Sequence, residues 1–147
     1  MIQNLRILNE IYKKTNAIYR DAAKRFGVPE CTFWILYTLR ETGRPVTQSE
    51  IRDITQSPSQ TINSALKKLE ADGMVRLENQ NDRRKKQIIL TEKGVSFAER
   101  TADQMIAMET KAMQSLSDEE QSRMLDVMRR YAEALDKEVR GVHKKGN

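Results

Sequence analysis

The sequence predicts a mainly α fold carrying one small β hairpin (α+β), and three observations support it. A short helical pattern with apolar Ile62, Ala65, Leu66 and Leu69 runs into two extended segments joined by a polar turn, all between Ser57 and Thr91. A second short helical pattern stands before it, separated by the dipeptide Thr55-Gln56, so the order is helix, tight turn, helix. Long amphipathic patterns flank this block on both sides. Together they describe a winged helix-turn-helix set between N-terminal and C-terminal helices.

Each element follows from its own residues. Leu8, Ile11, Tyr12, Thr15, Ile18, Tyr19, Ala22 and Phe26 recur at helical spacing and predict a helix from near the start to Gly27, a suitable stop. Val28-Pro29-Glu30 restarts a helix that buries Phe33, Leu36 and Leu39 and ends before Gly43-Arg44-Pro45. Thr47-Gln48-Ser49-Glu50 has the form of a capping box, in which threonine and glutamate satisfy each other's backbone N–H groups. It opens a short helix with Ile51 and Ile54 expected inward. Ser57-Pro58-Ser59-Gln60 reads the same way, with Ser57 as cap, Pro58 at the first helical position and Gln60 closing the box.

After Gly73 come an extended piece from Met74 to Glu78, the turn Asn79-Gln80-Asn81-Asp82, the basic run Arg83-Arg84-Lys85-Lys86 and a strand through Ile88, Ile89 and Leu90. Thr91-Glu92-Lys93-Gly94 then starts a helix expected to reach about Ser115 without a break. Ser117-Asp118-Glu119-Glu120 is a third capping box, opening a last helix to about Arg140. The expected organisation is one domain over residues 1–147, with a winged lobe at about 30–94, dimerisation helices at 1–26 and 95–140, and a frayed basic tail at 141–147.

Composition narrows the function classes. A formal net charge of +5 is modest, but the run at 83–86 contains no acid, which points to an anionic partner there. The single cysteine, Cys31, excludes an intramolecular disulfide and fits a reducing compartment. The first residues are too polar for a secretory core and no apolar run approaches a membrane span, so a soluble, cytoplasmic protein without a membrane partner is expected. One histidine, His143, and one cysteine cannot assemble a metal cluster or a Cys/His dyad in one chain. No G-x-S-x-G or phosphate loop occurs, so neither an enzyme nor a cofactor or metal is expected.

The candidate site is the polar face opposite the Ile62 stripe. Gln60 and Asn63 can each pair two ways with an adenine edge in a major groove, and Ser64 can donate or accept. Ser57, Ser59 and Thr61 lie near the helix start, where free N–H groups suit a phosphate of double-stranded DNA, and Lys67 is a phosphate candidate further along. Lys68 is left open between phosphate and solvent. Arg83, Lys85 and Lys86 alternate around the strand, so some face DNA while others blunt an exposed edge. Arg76 on the first strand is a candidate either to support the wing or to touch the DNA backbone. Tyr12, Tyr19, Trp34 and Tyr37 are candidates to line an effector pocket, against the plainer reading of aromatic core. Met105, Ile106, Met108, Met128, Tyr131, Leu135 and Val139 belong to a larger apolar surface than a small winged helix can cover, which predicts a second copy as partner.

The chain resembles the MarR family of bacterial transcriptional regulators over nearly its whole length. The most specific match is Asn81-Asp82-Arg83-Arg84-Lys85-Lys86-Gln87-Ile88-Ile89-Leu90-Thr91-Glu92-Lys93-Gly94, which is similar to the family's wing signature, D-x-R followed by a strand and L-T-x-x-G. Gln60 through Gly73 is similar to its recognition helix with the L-E-x-x-G turn. The resemblance implies a homodimer on a pseudopalindromic operator, often released by a small phenolic or lipophilic ligand or by oxidation. It also implies that Arg84 enters the minor groove at the wing tip. Asp82, an acid two residues earlier on a DNA-facing tip, is expected to pair with Arg84 and fix its rotamer. Oxidation-sensing members carry a reactive cysteine in the N-terminal helix, whereas Cys31 starts the second helix and the first has none. A repressor is the leading expectation, because a dimer seated on a promoter excludes polymerase. The alternative is a winged-helix protein-interaction module without operator binding.

Overall fold

The protein is described by a computed structural model that covers residues 1–79 and 86–143. Along the chain run α1 (Ile2–Arg25), α2 (Glu30–Thr42), β1 (Val46–Thr47), α3 (Gln48–Thr55), α4 (Ser59–Ala71), β2 (Val75–Asn79), β3 (Lys86–Leu90), α5 (Glu92–Glu99), α6 (Ala102–Gln114) and α7 (Asp118–His143). The expected mainly helical fold with a small sheet is what forms. Two compact units divide the chain, Met1–Ala107 and Met108–Asn147.

In the first unit, Ile35, Leu36, Leu39, Val46, Ile51, Ile62, Leu66, Leu69, Val75 and Ile88 form one buried cluster. Helices α2, α3 and α4 and the sheet therefore share a single core, and burying the Ile62-Leu66-Leu69 stripe of α4 turns its polar residues outward. A neighbouring cluster of Ala23, Val28, Phe33 and Met105 seats the end of α1 against α2. Arg40 on α2 grips Asp103 on α6 with two hydrogen bonds, its Nε at 2.7 Å. That carboxylate raises the guanidinium above its ordinary range.

The sheet is antiparallel in the order β1-β3-β2. Strand β1 was not expected: Val46 pairs with Ile88 and Thr47 with Gln87, and Val46 is wholly buried. Strand β3 is thus the central strand at Gln87 and Ile88, so edge-blunting is not needed at that part of it. Two residues are too few to show a period-2 pattern, and only the pairing reveals the strand.

Three further expectations fail for physical reasons. The helix begun at Thr91 is broken at Arg100-Thr101, where the N–H groups of Arg100 and Thr101 reach back three residues to Phe97 and Ala98. The Thr101 hydroxyl donates to the Phe97 carbonyl at 2.9 Å, taking up an acceptor the helix would use. Ile54, expected inward beside Ile51, is 57% exposed because α3 ends one residue later and its inward face holds only Ile51. The last helix continues to His143, past the expected tail boundary. The remaining tail, 144–147, lies outside the described residues.

Two capping boxes form as expected. Thr47 accepts from the Glu50 N–H while Glu50 accepts from the Thr47 N–H. Ser117 and Glu120 make the same exchange ahead of α7. Within the second unit, Gln121 donates its side-chain amide to the carbonyls of Met113 and Leu116, closing the end of α6.

Candidate nucleic-acid interface

Helix α4 carries the candidate reading face. Gln60, Asn63, Ser64 and Lys67 recur at i, i+3, i+4 and i+7, so they share one side, and all are exposed. Ser59 and Thr61 stand exposed in the first turn. The Ile62 N–H bonds to the Pro58 carbonyl at 3.1 Å, and Pro58 has ψ 139°, so Pro58 itself is the cap residue. Ser57 falls one residue too early to cap, and among the described residues no side chain caps this helix. This corrects the expected Ser57–Gln60 box. The proline ring holds φ near −57° and its extended ψ keeps Ser57 outside the helix. The uncapped N–H groups of the first turn remain open to solvent or to a phosphate.

Two polar groups on this face are already engaged. Gln48, the first residue of α3, donates its Nε2 to Asn63 Oδ1 at 2.7 Å. Ser64 donates its hydroxyl to the Gln60 carbonyl at 3.0 Å, which leaves it only as an acceptor. Lys68 is held by Asp72 at 3.4 Å, whereas Lys67 projects from the reading face. Gln48 is the residue that sequence reasoning missed. Its place just inside the Thr47 capping box was visible, but its reach across fifteen positions to Asn63 was not.

The base of the wing is knitted to the end of α4. The Thr91 hydroxyl donates to the Gly73 carbonyl at 2.7 Å, and its N–H donates to Met74 O at 3.1 Å. The Gly94 N–H in turn donates to Thr91 Oγ1 at 3.0 Å, and Lys93 Nζ donates to the Asp72 carbonyl at 2.7 Å. A Cβ on Gly94 would stand 1.9 Å from Met74 O, so only glycine fits. Arg76, the expected wing support, pairs with Glu78 on its own strand at 2.7 Å. Lys86 opens β3 and is exposed. Asp82, Arg83, Arg84 and Lys85 lie outside the described residues.

The family model that describes the MarR family matches residues 26–85, which span α2 to the start of the wing. A relative described as an HTH-type transcriptional regulator, YwoH of Bacillus subtilis, is 25% identical over 131 residues, covering 87% of this chain and 95% of that one. The structure of NMB1585, a MarR family regulator from Neisseria meningitidis, superposes with a TM-score of 0.79 at 25% identity, over 96% of this chain and 99% of that chain. Over residues 26–85, and in its fold as a whole, the chain is similar to MarR-family regulators. A further MarR-fold structure, a putative family regulator from Listeria monocytogenes complexed with a 26mer DNA, gives a TM-score of 0.69 at 23% identity, covering 97% and 95% of the two chains.

Three of the four expected aromatic pocket residues come together. Tyr19, Trp34 and Tyr37 line a cleft of about 340 Å³ with Asn16, Arg20, Glu30, Thr38, Glu41, Ile54 and Thr55. The ring of Trp34 lies 5.0 Å from that of Tyr19 and 5.3 Å from that of Tyr37. The Thr38 hydroxyl is buried at this wall without a hydrogen-bond partner among the described residues. Tyr12 is not part of the cleft: it sits two helical turns, about 10 Å, before Tyr19 on α1 and is exposed. Cys31 is half-buried against the core, and burial pushes its thiol up despite a hydrogen bond with Ser57. A thiol raised in this way holds little reactive thiolate.

Proposed function

We propose that this chain is a regulator of the MarR family, a homodimeric, sequence-specific DNA-binding repressor of a pseudopalindromic operator. The observation that carries the reading is the exposed face of α4. Gln60, Thr61, Asn63, Ser64 and Lys67 hold hydrogen-bonding groups and one cation without an acid, on a helix whose Ile62, Leu66 and Leu69 are buried in the core. Such a face matches base edges and phosphates and has no apolar patch for a protein partner. Lys86 and the basic residues Arg83, Arg84 and Lys85 extend the cationic surface in sequence.

Dimerisation is supported by apolar side chains that this chain leaves uncovered. On α7, Met128, Tyr131, Leu135, Val139 and Val142 repeat at three- and four-residue steps and are exposed. On α1, Leu5, Ile7, Ile11 and Ile18 are exposed as well. A second copy is the partner that would cover such faces, and it would place two recognition helices one turn of DNA apart, about 34 Å. The aromatic cleft, with a Thr38 hydroxyl that has no hydrogen-bond partner among the described residues, supports release by a small aromatic or lipophilic effector.

The test is a gel shift on DNA upstream of the protein's own gene, with salt varied, alongside analytical ultracentrifugation. The expected result is a dimer that shifts this DNA in preference to unrelated sequence and loses affinity steeply with salt. Equal affinity for any sequence, or no shift, overturns the reading and favours the protein-interaction alternative. Trp34 is the sole tryptophan, so its fluorescence reports an effector entering the cleft directly.

A further inference from the structure

We propose that Gln48 is a positioning residue that sets which base Asn63 reads, an inference that rests on the DNA-binding reading above. Asn63 lies on α4 between buried Ile62 and exposed Ser64. Its Oδ1 accepts from Gln48 Nε2 at 2.7 Å, and Gln48 belongs to a different helix. Gln48 is itself well anchored. It follows the Thr47 cap, whose partner Glu50 is gripped by Arg44 at 2.7 Å and held well below the usual carboxylate range, at about 2, mainly by that guanidinium. The amide that orients Asn63 therefore springs from a backbone fixed before DNA arrives.

A carboxamide has one oxygen that accepts and one nitrogen that donates two hydrogens. Turning the Asn63 oxygen toward α3 turns Nδ2 outward with both hydrogens free. Adenine presents an acceptor and a donor in the major groove, so reading it two ways needs both ends of the amide. Guanine presents two acceptors, N7 and O6, side by side, and a bare NH2 group suits that edge. The geometry replaces the adenine expectation at Asn63 with guanine. Gln60 keeps the adenine reading, since its side-chain amide faces no such neighbour among the described residues.

Selection from a random DNA library with the full-length protein tests this, using wild type, Asn63→Ala, Gln48→Ala and Gln48→Glu. Asn63→Ala should flatten one position per half-site and so identify it. Wild type should prefer guanine over adenine there by roughly tenfold, the scale of one good two-bond contact. Gln48→Ala frees the amide to rotate, so adenine should rise to rival guanine at that position alone. Gln48→Glu can only accept; it should draw Nδ2 toward α3, present Oδ1 to the groove and shift the preference to a base with an amino group, adenine or cytosine. A loss of stability would weaken binding to every sequence and leave the base identity unchanged, so the readout separates positioning from folding. Adenine in the wild-type motif at the Asn63 position, or a base there that neither Gln48 variant alters, overturns the inference alone. A wild type that enriches no motif overturns the DNA-binding reading and this inference with it.

Discussion

Replacing Gly94 with alanine tests the joint between the recognition helix and the wing. The added methyl would meet the Met74 carbonyl oxygen at 1.9 Å, where ordinary contact begins near 3.4 Å, so the joint must open by about 1.5 Å. That carbonyl accepts from the Thr91 N–H at 3.1 Å. Moving it weakens this bond, at about 1 kcal/mol. Forcing a methyl into a packed site costs a further 1–3 kcal/mol or so. The expected loss is about 2–4 kcal/mol, which for a chain of this size lowers Tm by roughly 6–15 °C. Thermal melting followed by circular dichroism measures it. Gly141→Ala is the control, because a Cβ there meets nothing within 4 Å, and alanine in a helix is favoured over glycine by up to about 1 kcal/mol. A Gly94→Ala protein melting within about 2 °C of wild type would show that the joint yields at little cost and refute the reasoning.

Three other predictions bear on the site, the dimer and pH. Arg84→Ala should weaken operator binding at least about tenfold and shallow the salt slope by about one phosphate, with unchanged circular dichroism; wild-type affinity at physiological salt would reject the wing assignment. Leu135→Asp should yield monomers or aggregates and no operator complex, since a carboxylate buried without a partner costs several kcal/mol, and ultracentrifugation at micromolar protein decides it. Glu50 is held at about 2 in the folded chain against an ordinary 4.5, so its charge stabilises the fold above about pH 4.5 and that contribution fades as pH falls toward 2. The carboxylate is 37% exposed, so screening reduces this to about 1 kcal/mol at neutral pH. Urea midpoints of wild type and Glu50→Gln should converge as pH falls from 4.5 to 2; a gap that stays constant would remove Glu50 from the pH dependence.

What the sequence alone determined is what depends on near neighbours. The helices were legible because apolar residues recur at their period, and two helix starts because Thr47 with Glu50 and Ser117 with Glu120 close boxes only three residues wide. The outward polar face of α4 followed from the inward stripe on the same helix. The tertiary structure decided whatever needs a partner distant in the chain. Val46 becomes a strand only against Ile88, and Thr101 ends a helix where it is buried. Tyr19, Trp34 and Tyr37 form a wall while Tyr12, on the same stripe of α1, is left outside, because that stripe outruns the helix packed against it. Asn63 shows the division most sharply. Its exposure was readable from its place on α4, but the direction of its amide is set by Gln48, on another helix. A helical period reports which side of an axis a residue occupies, and the way its polar atoms point is settled by the groups that packing brings within hydrogen-bond reach.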